Sequence, residues 1–172
     1  TGEVIVPSLT WSSDISAVIH NNLKPVFVDI NPKNLCMSEK DIIRKVNKNT
    51  IAVFLSHIQG FNGLSSNLIK FLKRRNVMLI EDVCESHGAT YKNKKLGTFG
   101  KISNFSFYYA HHMSTIEGGM ICTNDKQMYH LAKMLRSHGM IREIYDKKIE
   151  KKIIKKYTTL SPKFIFLHPA YN

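Results

Sequence analysis

Four short stretches of this 172-residue chain gather side chains capable of chemistry: Ser8-Leu9-Thr10-Trp11, Ser56-His57, Glu81-Asp82 and Ser106 through His112. Carboxylates can hold or move protons, and imidazole does so near neutral pH. Hydroxyls can donate to phosphate, and an indole can stack on a flat ring. Each residue also has a plainer reading. Trp11 could be an ordinary core or interface aromatic, Asp82 a cap, and His57, His87, His111 and His112 satisfied structural histidines. Cys84 and His87 stand three apart and could ligate from one helical face, but no second pair matches them, so no metal site is expected. A GxSxG elbow and a GxGxxG turn after the first strand are both absent from the sequence.

These stretches fall at the ends of β-branched runs that alternate with amphipathic segments. Strands are predicted at 4–9, 25–30, 51–55, 76–81, 102–108 and 119–123. Helices are predicted at 13–22, from Ser38 onward, at 64–75 and at 125–137. Ser38 with Asp41 three residues on reads as a capping box. Residues 88–100 read as a loop or hairpin. On the 125–137 helix, Met128, Leu131, Ala132 and Leu135 are expected inward, with Gly139 just past its end. Residues 141–156 are expected to be one helix with Ile141, Tyr145, Ile149 and Ile153 on its buried face. The alternation implies an α/β fold with a mostly parallel sheet covered by helices. Ligands of such sheets bind beyond the carboxyl ends of the strands, where the polar stretches lie.

Composition narrows the function class. The chain is 43% hydrophobic and 22% charged, a globular rather than disordered balance. Its formal charge is +12, with lysine far outnumbering arginine. The densest basic stretch, 142–156, contributes +4 and reads as a solvated lysine face. No aromatic-and-basic motif accompanies it, so nucleic acid is not expected as a partner, and no apolar run approaches the ~20 residues of a membrane helix, so neither is a membrane. Cys36, Cys84 and Cys122 form no CxxC pair, which points to a reducing, cytoplasmic setting rather than a disulfide framework.

The strings VIVPSLTW, KPVFVDI, LIEDVCESHGATYKNKKLGTFG, FSFYYAHHMSTIEGGMICTND and LRSHG, in this order, resemble the DegT/DnrJ/StrS family of sugar aminotransferases. The resemblance runs from about Gly2 to Asn172. It implies the large domain of a fold-type I transferase that uses pyridoxal 5'-phosphate. Residues 1–172 would be a partial large domain, with the N-terminal phosphate loop and the C-terminal small domain outside them. It also implies a homodimer with a shared active site. By resemblance, Asp82 faces the cofactor's pyridine nitrogen, Trp11 stacks on the ring and Ser106 binds the phosphate. Glu85 would lie near the phenolic oxygen, and Asn172 would reach the neighbouring subunit's phosphate.

The departure from the family pattern is His111. Aminotransferases carry a cofactor-tethering lysine five residues after the Ser106 position, and here that residue is histidine. Lys94 and Lys95 do not occupy it. Histidine there resembles the sugar 3-dehydratase subgroup, in which untethered pyridoxamine 5'-phosphate serves a nucleotide-linked 4-keto-6-deoxy sugar. The histidine removes a proton from the cofactor's C4′ carbon and the C3 hydroxyl leaves. One branch of that subgroup adds an iron–sulfur cluster on four cysteines. Cys84 matches the first, but Arg142, Ile144 and Lys152 stand near the other places, so no cluster is expected. Glutamate would regenerate the cofactor. A conventional glutamate-dependent aminotransferase and a non-catalytic relative remain the alternatives at this point.

Overall fold

The structure is a computed structural model that describes residues 2–144 and 146–171. It divides into two compact units, 1–122 and 123–172. In the first, β1 (Glu3–Pro7), β2 (Lys24–Val28), β3 (Thr50–Ser56), β4 (Met78–Asp82), β7 (Ile102–Ser106) and β8 (Gly119–Cys122) form one sheet. Their order is β2-β1-β3-β4-β7-β8. All neighbours run parallel except β7 and β8, which are antiparallel. The 88–100 segment folds as the hairpin β5 (Thr90–Tyr91) and β6 (Lys94–Lys95).

Side-chain alternation on β1 shows how the sheet is covered. Val4 and Val6 turn to one face and pack with Val18 of α1 (Ser12–His20). Ile5 turns to the other, among Ile42 of α2 (Glu39–Lys45) and Leu68 and Leu72 of α3 (Ser66–Arg74). A strand buried on both faces needs an unbroken apolar run, which Val4-Ile5-Val6 provides.

Local caps fix the helix starts and correct two expectations. Ser65 accepts the Leu68 N–H at 2.9 Å, so α3 begins at Ser66 rather than Leu64. Ser38 does precede α2, but its side chain makes no cap hydrogen bond, and Asp41 pairs with Arg44 at 2.9 Å instead. The capping box does not form, because Asp41 has a cationic partner one turn onward.

The second unit holds α4 (Lys126–Leu135), a 3₁₀ turn at Ile141–Glu143, α5 (Lys147–Lys156) and a 3₁₀ turn at Pro162–Phe164. Met134, Ile141, Ile144 and Ile165 form its core. Residues 141–156 are therefore not one helix. Asp146 accepts the Lys148 and Ile149 N–H groups and starts α5 afresh, leaving Ile149 exposed while Ile153 packs on the core. Tyr145 lies outside the described residues. On α4 the inward phase is set by His130 and Met134, and Leu131 is exposed. Gly139 does follow the helix, at φ +76°, and a side chain there would meet the His168 backbone.

Candidate active site at the carboxyl edge of the sheet

The strand order reverses at β1, with β2 on one side and β3 on the other, which opens a crevice at the carboxyl ends of β1 and β3. The candidate site is built there and continues along β4 and β7. Register partners on adjacent strands share a face. Ser56 pairs with Asp82, and Asp82 with Asn104, so a polar row crosses the edge of three strands. Asp82 Oδ1 accepts the Cys84 N–H and the Asn104 Nδ2–H, each at 3.0 Å, which fixes the carboxylate.

Asp14, in the first turn of α1, joins this row and was not singled out from the sequence. The residue is only 5% exposed. Oδ2 accepts Thr10 Oγ1 at 2.5 Å and Ser56 Oγ at 3.1 Å, and those hydroxyls lie 3.1 Å apart. Burial first, and then the charge of Asp82, push Asp14 up to about 6. An acid at the start of a helix ordinarily reads as a partner for the helix dipole, so only the strand register could reveal this role.

Trp11 caps α1 and is 74% exposed beside this row, which rules out the core reading for it. Ser106, at the end of β7, accepts the Tyr108 N–H at 3.2 Å. Glu85 is exposed and accepts the Gln59 N–H at 2.9 Å. Asn172 lies outside the described residues.

Glu81 and His57 belong to the scaffold instead. Both side chains are fully buried, 3.1 Å apart. Glu81 also accepts the N–H groups of Gly97 (2.8 Å), Phe99 (2.7 Å) and Gly100 (2.5 Å). Burial pushes its carboxyl up, but His57 and the Gly97 and Gly100 amides outweigh this and hold it below the usual range. The knot ties the 97–100 loop against β4, immediately before Asp82. Gly100 permits the approach, since a Cβ there would stand 2.7 Å from the Leu79 carbonyl oxygen.

After β7 the chain turns back through a segment that carries His111 and His112. The His87 ring stands 6.5 Å from that of His111, 5.8 Å from that of His112 and 5.7 Å from that of Phe105. Both His87 ring nitrogens are buried without a protein partner. Burial, then His112 and His111, holds this imidazole below the usual histidine range. Among the described residues no three His, Cys, Asp or Glu side chains are placed to hold a metal ion. The Cys84 thiol lies against Asn104, 3.3 Å from Nδ2, and burial with the nearby Asp82 charge keeps it protonated.

A family model of the DegT/DnrJ/EryC1/StrS aminotransferases matches residues 1–160. The chain belongs to that family. The GDP-4-keto-6-deoxy-D-mannose 3-dehydratase of Escherichia coli O55:H7 is 35% identical over 170 residues, covering 99% of this chain and 44% of that protein. The GDP-perosamine synthase of Escherichia coli O157:H7 is 38% identical over 138 residues, covering 80% of this chain and 38% of that protein. The family member thus spans less than half the length of these relatives. Among solved structures, Escherichia coli GDP-4-keto-6-deoxy-D-mannose-3-dehydratase with bound hydrated PLP superimposes with a TM-score of 0.82 at 33% identity, covering 99% of this chain and 44% of that one. A mutant of GDP-4-keto-6-deoxymannose-3-dehydratase with bound GDP-perosamine gives 0.84 at 32% identity, covering 100% and 45%. The fold is that of the PLP-dependent aminotransferases, as the mostly parallel sheet and its helices on both faces imply.

Proposed function

We propose that the complete protein is a pyridoxal or pyridoxamine 5'-phosphate enzyme that removes the 3-hydroxyl of a nucleotide-linked 4-keto-6-deoxy sugar. The observation that carries this reading is His111. Where family aminotransferases carry the tethering lysine, this chain presents an imidazole. Lys95 is committed elsewhere, donating to the Gly88 carbonyl at 2.9 Å on the outer hairpin. An imidazole moves protons near neutral pH but offers no amine for covalent attachment.

The residues present fit a flat, phosphorylated heterocycle with a basic ring nitrogen. Asp82 is pinned at the edge with a carboxylate to hold a proton on that nitrogen. The exposed Trp11 indole would lie on the ring and exclude water from one face. Ser106 would donate to the phosphate, and Glu85 would stand near the phenolic oxygen. Asn172 is assigned to a neighbouring subunit's phosphate by resemblance. When bound, the cofactor would supply a conjugated electron sink for the charge left when its C4′ carbon gives up a proton. His111 takes the proton from the cofactor's C4′ carbon and can return it to the departing 3-hydroxyl.

Residues 1–172 are read as a partial large domain, completed elsewhere in the protein by a phosphate loop and a small domain. The large apolar side chains Tyr109, Met113 and Ile116 are exposed around His111 and suit cover by a second subunit, as in a homodimer with shared sites. All three cysteines are free, which suits a cytoplasmic protein. No helix of the described residues is long and apolar enough to cross a membrane. Glutamate is the proposed amino donor, supported by a solved 3-dehydratase holding a trapped PLP-glutamate geminal diamine. The presence of GDP-perosamine synthase among the relatives favours a second reading, a sugar-nucleotide aminotransferase. Borohydride reduction of the complete protein with pyridoxal phosphate separates the two. The dehydratase reading predicts no pyridoxyl group on any lysine, and a pyridoxyl-lysine found by mass spectrometry would overturn it.

A further inference from the structure

We propose that Asp14 is a positioning residue that forms a carboxyl pair with Asp82, anchored by Thr10 and Ser56, so that the sheet edge presents two acids to the ring nitrogen of a flat cationic heterocycle. The inference rests on the cofactor reading above and extends it to a residue outside the matched motif positions.

Three observations place the pair. Ser56 and Asp82 are register partners on adjacent parallel strands, so their side chains share a face about 5 Å apart. Ser56 Oγ donates to Asp14 Oδ2 at 3.1 Å, which brings the Asp14 carboxyl onto the same face. Thr10 Oγ1 donates to the same oxygen at 2.5 Å and holds it from the side of the crevice where β1 ends. Asp82 is steadied from its opposite flank by Asn104. The row therefore runs Thr10, Asp14, Ser56, Asp82, Asn104, with Ser56 standing between the two acids and each charge acting on the other.

Burying a second carboxyl next to the first is unfavourable in the unloaded protein, because like charges in a poorly solvated place repel. That cost is relieved when a proton enters the pair or a cation docks against it. A pyridinium nitrogen at Asp82 is such a cation. The titratable groups facing Asp14 are Asp82 and, beyond it, the Cys84 thiol, which stays neutral. Hence a second negative charge near the ring nitrogen raises that nitrogen's proton affinity. Two carboxylates at such separations, in surroundings of intermediate polarity, correspond to a roughly tenfold to hundredfold effect.

The test loads the complete protein with pyridoxal phosphate labelled with ¹⁵N in the ring and follows the nitrogen shift with pH. Asp14→Asn and Asp14→Ser are compared with wild type, so that one poorly folding variant leaves the other. The expected result is a ring nitrogen that loses its proton at least one pH unit earlier in the variants. An unchanged titration would overturn the role of Asp14 while leaving the cofactor reading intact. Should wild type bind no pyridoxal phosphate, the cofactor reading fails by itself. Proton uptake by the unloaded protein then decides the pair. Wild type should take up about one proton more than Asp14→Asn between pH 7 and 5, and equal uptake would overturn the pair.

Discussion

Replacing Glu81 by glutamine should destabilise the protein far more than the loss of one charge on the surface would. The carboxylate is fully buried and accepts four hydrogen bonds, from His57, Gly97, Phe99 and Gly100. Bonds to a charged acceptor are each worth about 1.5–3 kcal/mol, against about 1 for a neutral one. A glutamine oxygen can keep the Phe99 and Gly100 amides as neutral bonds, losing about 1 kcal/mol on each. Its amide group then faces the Gly97 N–H, donor against donor, and leaves that buried amide unpaired at about 1–3 kcal/mol. Before any loss at His57, whose Nε2 faces the same oxygen as Gly97, the cost is already about 3–5 kcal/mol, a large part of the 5–15 kcal/mol that holds a typical domain together. Urea denaturation of the complete protein followed by circular dichroism reads this as a lowered midpoint. Glu39→Gln, at an exposed hydrogen bond accepted from the Asn67 amide, is the control and should cost under about 1 kcal/mol. The pH dependence has a definite sign. A carboxyl held below its unfolded value gives stability that is present above that value and is lost on acidification. The gap between wild type and Glu81→Gln should therefore narrow as pH falls below about 4.5. A variant within about 1 kcal/mol of wild type at pH 7 would show that the bonds to the buried Glu81 carboxylate carry no such weight.

Other outcomes follow from the same geometry. Gly100→Ala should cost about 1–3 kcal/mol, read as a lowered melting temperature, because its Cβ would meet the Leu79 carbonyl at 2.7 Å. Asp14 binds its proton more tightly folded, at about 6, than unfolded, at 3.8. The Asp14 contribution to the stability of the unloaded protein should therefore be fully present below about pH 4 and be lost, by up to about 3 kcal/mol, as pH rises through 6. Asp14→Asn should flatten that slope in a melting series across pH. Trp11→Ala should leave the melting temperature nearly unchanged, since the indole is exposed, yet weaken pyridoxal phosphate binding roughly fivefold to tenfold in an absorbance titration.

Local signals in the sequence carried the sheet strands and the edge where polar residues collect. Val4-Ile5-Val6 announces a strand buried on both faces, and Asp82 at the end of β4 lies where a parallel sheet places its ligands. Less legible was anything set by pairing between distant strands. The polar row from Ser56 through Asp82 to Asn104 depends on register, which no single segment encodes. Asp14 was hidden for the same reason, and His57 and Glu81 were sorted into scaffold only by their burial. Helix phase was legible on α3 but not on α4, where His130 rather than Leu131 turns inward. The break at Asp146 is a competition between propensity and a side-chain cap. The lysine-rich run favours one helix, and the aspartate's hold on the Lys148 and Ile149 amides restarts it.

His111 is proposed to move the proton that lets the 3-hydroxyl leave. The most direct measurement is nuclear magnetic resonance of the sugar product formed by the complete protein from GDP-4-keto-6-deoxymannose, pyridoxal phosphate and glutamate. A methylene at C3 with release of ammonia is expected, lost in His111→Asn while cofactor binding persists. An amino group at C4 with the C3 hydroxyl retained, or undiminished dehydration by His111→Asn, would contradict it.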